Sequence, residues 1–264
     1  MKHRHIFRLH ASISKQSYTI ITILVFVVLL ALWQIFAMSG LVKELFLPSP
    51  VKVFQYIVGA INDGSMRSDM AISVYRIVMG FLLAAVLAIP LGILAGCLSW
   101  MEALISPLCE FVRYMPVPAF VPLVMIWCGI GESAKIVIIF LGTFFQMVLM
   151  VADDARSVSE DLLASSYTLG ASSGRAILTV LIPAMLPRMM DTVRMMIGWA
   201  WTYLVVAELI AANSGLGYSI LKAQRFVKTE AIYGGIIVIG LLGLITDRVL
   251  VLINRRLFHW AESR

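Results

Sequence analysis

The sequence predicts an all-α membrane protein with six transmembrane helices. Two observations carry this. Of 264 residues, 61% are hydrophobic and only 14% are charged, whereas soluble domains carry roughly a quarter charged residues. The apolar stretches also recur at spanning length: a helix rising ~1.5 Å per residue needs ~20 apolar residues to cross a ~30 Å hydrocarbon core. The chain is long enough for about six such spans in one membrane domain. Its net charge of +6 reads as loop Lys and Arg that set orientation rather than as a nucleic-acid surface. Cys97, Cys109 and Cys128 have neither metal spacing nor a disulfide pattern and read as small buried hydrophobes. His3, His5, His10 and His259 form no ligand cluster, so no metal is expected.

Taken in order, the chain begins with a basic flank of Lys2, Arg4, Arg8 and Lys15. Ser17 to Ser39 follows at full spanning length with no A-x-A-like cleavage site, and reads as an uncleaved first span. Ser49 and Pro50 then supply a cap and a first helical position. Val51, Phe54, Ile57, Val58 and Ile61 share one face of the short surface helix expected there, which ends at Asn62-Asp63-Gly64. The second span runs from near Ser73 to Leu98, with Gly92 and Gly96 spaced for close helix packing. Ser99 to Pro107 is expected to be a loop. The third span, Leu108 to Cys128, is interrupted by Pro116, Pro118 and Pro122. Broken helices sit in membranes where the loosened backbone lines a cavity or is covered by protein, so this span is placed along a solute pathway. Arg113 lies about one turn into it, either at the interface or buried with a partner such as Glu110.

Gly129 to Glu132 is a turn, and Ser133 to Val151 the fourth span, with Asp153, Asp154 and Arg156 marking its exit into water. Asp191 to Ala212 forms the fifth, containing Trp199, Trp201 and Glu208. A turn at Gly215 to Tyr218 and a polar helical connection, Ser219 to Glu230, lead to the sixth, Ala231 to Leu252. The chain thus divides into a basic N-terminus (1–16), a membrane domain (17–254) and a C-terminus (255–264). With both termini in the cytoplasm, twelve Lys and Arg fall on the cytoplasmic side and seven outside, the bias expected for this orientation. Glu208, near the outer end of the fifth span, is a functional candidate because ionisable residues at that depth are costly. It has four readings: pairing with Arg113, binding a cation, holding an outer gate, or reaching interfacial water.

The polar segment at about 152–190 would then face the cytoplasm. Ser157 and Glu160 have the S-x-x-E spacing of a capping box. Gly170 is placed to end the helix they start, and a second helix is expected from Ser172 or Ser173 to just before Pro183. Two short helices joined by a glycine elbow leave an apolar face that calls for a protein partner.

The residues of this segment resemble the loop of ABC importer permeases, in which a triplet EAA is followed by three residues, a glycine, nine residues and I-x-L-P. Here Ala164-Ser165-Ser166 is followed at the same spacings by Gly170 and by Val180-Leu181-Ile182-Pro183. Pro48-Ser49-Pro50, Ser73-x-x-Arg76-x-x-x-Gly80-Phe81, Pro90-Leu91-Gly92, Met115-Pro116-x-Pro118-Ala119-x-x-Pro122-Leu123, Gly129-x-Gly131-Glu132, Trp201 with Ala207-Glu208, and Gly215 to Tyr218 are similar to the nitrate/sulfonate/taurine/bicarbonate branch. The resemblance implies a type I importer permease of the bacterial inner membrane, moving a small anionic or zwitterionic solute. It further implies pairing with a second permease subunit, two cytoplasmic ATP-binding subunits that use the ATP, and an extracytoplasmic binding protein. This chain would carry no cofactor and no catalytic residue of its own.

By the same resemblance, Glu160, Ala164, Ser165, Ser166, Gly170, Ala171 and Pro183 form the ATPase-coupling set; Arg113, Met115, Pro116 and Pro118 of the proline-broken span, with the ionisable Glu208, are the pathway or gate candidates. The triplet departs from the pattern, with Ala164 in place of glutamate. Glu160, one turn earlier on the same face, has two readings: a substitute for that glutamate or a capping residue. Other functions find less support. Gly170 to Gly174 matches G-x-S-x-G, but no strand precedes it and His259 alone follows. There is no HExxH and no phosphate-binding GxxxxGK[ST]. An ion-gradient-driven secondary transporter would need midplane polar relays, and the spans offer little beyond Glu208 and Arg113.

Overall fold

The computed structural model describes residues 14–259, and every regular element in that range is helical. The basic flank of Lys2, Arg4 and Arg8 lies outside the described residues, as does Arg264. Helix α1 (Lys15–Met38) is apolar around its circumference and touches the rest at few points. One is Trp33, whose Nε1 donates to the Pro48 carbonyl at 3.0 Å. Helix α2 (Pro50–Asn62) starts as expected, with Ser49 Oγ accepting the Lys52 amide and Pro50 in the first turn. Its buried face differs: Val53 and Ala60 are buried while Val51, Phe54 and Val58 point outward. The sequence offers two apolar stripes, and packing selects the one that meets α3 (Ser65–Cys97) and a glycine, Gly234, of the last helix.

Helix α4 (Ser99–Arg113) occupies the segment expected as a loop, with Pro107 inside it. Proline there removes one donor, and the carbonyl it leaves unpaired belongs to exposed Ala103. The expected third span is really α4 plus α5 (Val117–Cys128), set at 102° to each other. The prolines divide the work. Pro116 precedes α5, Pro118 falls in its first turn where no amide donor is needed, and Pro122 alone lies in its interior. Gly129 ends α5 and α6 (Glu132–Arg156) follows.

Helix α7 (Glu160–Thr168), the single turn α8 (Ser173–Ala176) and one π-helical turn (Ile177–Leu181) lead into α9 (Ile182–Ala211). The expected stop before Pro183 does not occur. Pro183 sits in the first turn of α9, and the chain reaches it by widening to a π turn, which takes up the missing donor without breaking the rod. α10 (Leu216–Arg225) and α11 (Thr229–Leu257) complete the chain. Among the described residues, five helices are long and apolar enough to cross a membrane, or six if the bent α4–α5 pair is one span.

The core forms where α3 and α6 run parallel. Cβ atoms added to Gly80, Gly92 and Gly96 would lie 2.8 Å from Ile139 Cβ, 2.7 Å from the Val148 carbonyl and 2.6 Å from Ala155 Cβ. The Gly92/Gly96 pair thus does the close packing expected of it. α9 runs antiparallel across α6, and α11 packs on α9 through Trp201, whose Nε1 donates to Thr246 Oγ1 at 3.1 Å. Gly92→Leu should destabilise the protein by about 1–3 kcal/mol, read as a lower melting temperature in detergent. Gly59→Ala, where an added Cβ meets nothing within 4 Å, should leave it unchanged or slightly raised.

Candidate functional site

At one end of the bundle, Arg76 of α3 is 0% exposed yet fully partnered. Its Nε donates to Glu132 Oε2 at 2.6 Å and its Nη2 to Glu132 Oε1 at 2.8 Å and Ser214 Oγ at 3.1 Å. Its Nη1 donates at 2.7 Å to both Glu208 Oε1 and the Ser214 carbonyl. A guanidinium has five N–H donors, and each has an acceptor here. Lys135 Nζ donates to Glu132 at 2.8 Å, so two cations face two carboxylates. Glu208, also 0% exposed, accepts from Ser73 Oγ and from the Gly217 amide, each at 2.7 Å.

The same cluster seats the turn before α10. Three successive amides reach side chains on other helices: Gly215 to Asp69 at 2.9 Å, Leu216 to Ser73 Oγ at 3.0 Å, and Gly217 to Glu208. Ser219 also donates to Asp69. These are first-turn amides of α10, which have no acceptor in their own helix, and carboxylates suit that positive end. Gly215 has φ +107°, and a Cβ there would lie 2.3 Å from Glu208 Oε1; one on Gly217 would lie 2.8 Å from Glu208 Cβ. Glu208 therefore pairs with Arg76, not Arg113. Arg76 carried only a motif match in the sequence. A charged residue inside an apolar span, one turn after Ser73 and one turn before Gly80, is the available signal for it.

Arg113 instead ends α4 at the bend. It is exposed, its Nη2 contacts Tyr114 Oη at 3.1 Å, and no ion pair to Glu110 forms. Arg113 and Met115 line a cavity of about 360 Å³ together with Gln146 of α6 and Trp199 and Tyr203 of α9. Pro116 and Pro118 make the bend without lining that cavity. Glu208 lies apart, in the ion network.

At the opposite end, α7 and α8 form the expected elbow. Gly170 has φ +85°, its amide donates to the Tyr167 carbonyl at 2.9 Å, and the Ala171 amide reaches the Ser166 carbonyl at 3.0 Å. Gly170 to Gly174 spans this helical elbow, with no strand before it among the described residues. The capping box is absent. Ser157 ends α6, where its Oγ donates to the Asp154 carbonyl at 2.7 Å, and Ser159 precedes α7 without a side-chain cap. α6 runs on past Val151 and takes Ser157 with it. Ser166 is buried, while Glu160, Ala164, Ser165 and Gly170 are exposed. Asp154 does not mark an exit into water. It is buried between α6 and α9, accepting from Thr192 Oγ1 at 2.6 Å and Arg188 Nε at 3.0 Å. Asp153 and Arg156 are exposed as expected.

These features define a multi-span membrane protein with a bent helix pair beside a mid-depth cavity and an exposed helical elbow at one end. The family of binding-protein-dependent transport system inner membrane components matches residues 88–259. A putative aliphatic sulfonates transport permease protein of Bacillus subtilis is 35% identical over 236 residues, covering 89% of this chain and 86% of that one. The taurine transport system permease protein of Escherichia coli is 32% identical, covering 88% and 86%. Among solved structures, the inward-facing MetNI methionine ABC transporter matches with TM-score 0.62 at 17% identity, over 72% of this chain and 96% of that one, a likeness of fold. The chain belongs to this family: it is an inner-membrane permease component of an ABC importer, and the ion-gradient alternative gives way to that membership.

Arg76→Met should cost about 3–5 kcal/mol, because it leaves the fully buried Glu208 carboxylate without its cation while Glu132 keeps Lys135. Arg76→Lys should recover only part of this, since an ammonium cannot meet the same set of acceptors. Adding Glu208→Gln to Arg76→Met should reduce the loss. Unfolding in detergent, followed by near-UV circular dichroism, measures all three.

Proposed function

We propose that this permease pairs with a second copy of itself around a central pathway and imports a small anionic or zwitterionic solute of the sulfonate, taurine or bicarbonate class. Names of relatives support that class: besides the sulfonate and taurine permeases, a bicarbonate transport system permease protein of Synechococcus elongatus is 28% identical over 86% of this chain. Both termini lie in the cytoplasm on this reading, which the Lys and Arg bias supports. Two separate ATP-binding subunits hydrolyse the ATP, and this chain binds no cofactor. An extracytoplasmic binding protein delivers solute at the Arg76 end. A cavity of about 690 Å³ there, with Asp69, Ser219, Lys222 and Lys228 in its lining, supports that side as the receiving face.

The observation that carries the reading is the elbow. Leu169 is 89% exposed, and Leu162, Tyr167 and Leu178 are exposed beside it. An apolar surface of this kind on a short, sharply turned helix pair fits a groove on a protein partner. Glu160, Ala164, Ser165, Gly170 and Ala171 form the part the ATPase grips, the expected member Ser166 is buried beneath it with its Oγ on the Leu163 carbonyl, and Pro183 begins the rod that carries the motion into α9. Exposed Ala164 and Ser165 keep the contact surface small, and Glu160 is exposed in the first turn where a partner's basic group can reach it.

An added Cβ at Gly170 meets nothing within 4 Å, so only its backbone conformation constrains the residue. Gly170→Val should therefore uncouple ATP hydrolysis from uptake in reconstituted vesicles while leaving membrane insertion intact. Gly170→Asn, a residue that tolerates positive φ, should retain most transport. Wild-type coupling in the valine variant contradicts the assignment.

A further inference from the structure

Arg76 and Arg113 both lie in helices that reach into the membrane, and the protein treats them differently. Arg76 has an acceptor for every donor. Arg113 makes one hydrogen bond, to Tyr114 Oη, and stacks 4.9 Å above the Tyr114 ring. No carboxylate pairs with it among the described residues, and it is the one charged side chain lining the bend cavity. The cavity lies at mid-depth: Gln146 is near the middle of α6, and Trp199 near the middle of α9. A lone cation at that depth is costly unless water or an anion reaches it.

Apart from Gln146, the rest of the wall is mostly apolar and aromatic. Trp199 and Tyr203 stack with centroids 6.2 Å apart and planes at 24°. The Tyr203 ring packs directly on Gly142, where an added Cβ would lie 2.3 Å from Cδ2. Gly142 thereby lets the aromatic pair sit back and keeps the cavity open.

We infer that this cavity is the selectivity subsite of the pathway. Arg113 holds the acidic head of the solute, Gln146 offers a neutral polar contact, and Trp199, Tyr203 and Met195 receive its apolar remainder. The site would favour a monoanion with a short tail over a cation of the same shape. This inference rests on the importer reading above and adds where in the membrane domain the solute's charge is recognised.

The test is equilibrium dialysis of labelled butanesulfonate against the full-length protein in lipid nanodiscs, with butylammonium as the opposite-charge probe. Wild type should bind the sulfonate saturably and the ammonium not at all. Arg113→Gln should weaken sulfonate binding at least about tenfold, the scale of a lost charge-assisted hydrogen bond. Arg113 is exposed, and an unchanged melting temperature checks that the variant folds. Trp199→Ala should weaken butanesulfonate more than methanesulfonate, because only the longer tail reaches the aromatic wall. Absent saturable binding to wild type, equal binding of the two charges, or unchanged affinity in Arg113→Gln overturns the inference. A failed importer reading shows itself elsewhere, as uptake that persists without ATP-binding subunits.

Discussion

The amides of Gly215, Leu216 and Gly217 open α10 with no acceptor in their own helix, and all three residues are buried, so water does not satisfy them. Their acceptors come from Asp69, Ser73 and Glu208. Glu208 in turn needs a cation to be buried at all, and Arg76 supplies it. Arg76 is then committed to Glu132 and Ser214 as well. α3, α6, α9 and the α10 turn therefore meet at a single guanidinium. The glycines at 80, 92 and 96 extend the union of α3 and α6 along their length, and Asp154 ties α6 to α9 at the far end.

This arrangement has a mechanical consequence. On the coupling role proposed above for the elbow, a force applied there enters α9 through the π turn and meets a body fastened at both ends. Two features lie outside that fastening: α4 and α5 meet at 102° across Tyr114 to Pro116, and α1 touches the bundle at few points. The pathway reading of the bend and the rigid reading of the ion network are complementary. The bend shapes the cavity wall, and the network fastens α3, α6 and α9 at the Arg76 end.

Much of this was legible from residue order. The Ser49-Pro50 helix start, the glycine packing on α3 and the positive φ at Gly170 each follow from local chemistry, and each appears. Spans were recognisable because apolar length is a one-dimensional signal. Failures came where tertiary contacts chose between locally equivalent options. Ser157 could cap the next helix or close the previous one, and α6 simply ran longer. Ser99 to Pro107 looked like a loop because Pro107 weighs against helix, yet one lost bond at an exposed carbonyl was tolerable. The partner of Glu208 was hidden for a different reason. Arg76 is distant in sequence, and nothing local states which of two arginines a buried glutamate will meet.

The central claim is that the Arg76 network holds the α10 turn to the transmembrane core. Amide hydrogen exchange at Gly215, Leu216 and Gly217 tests it most directly. With the network as described, these amides exchange as slowly as those inside α10, and Arg76→Gln brings them to the rate of open loops. Fast exchange in the wild type, or protection that survives the loss of Arg76, would contradict it.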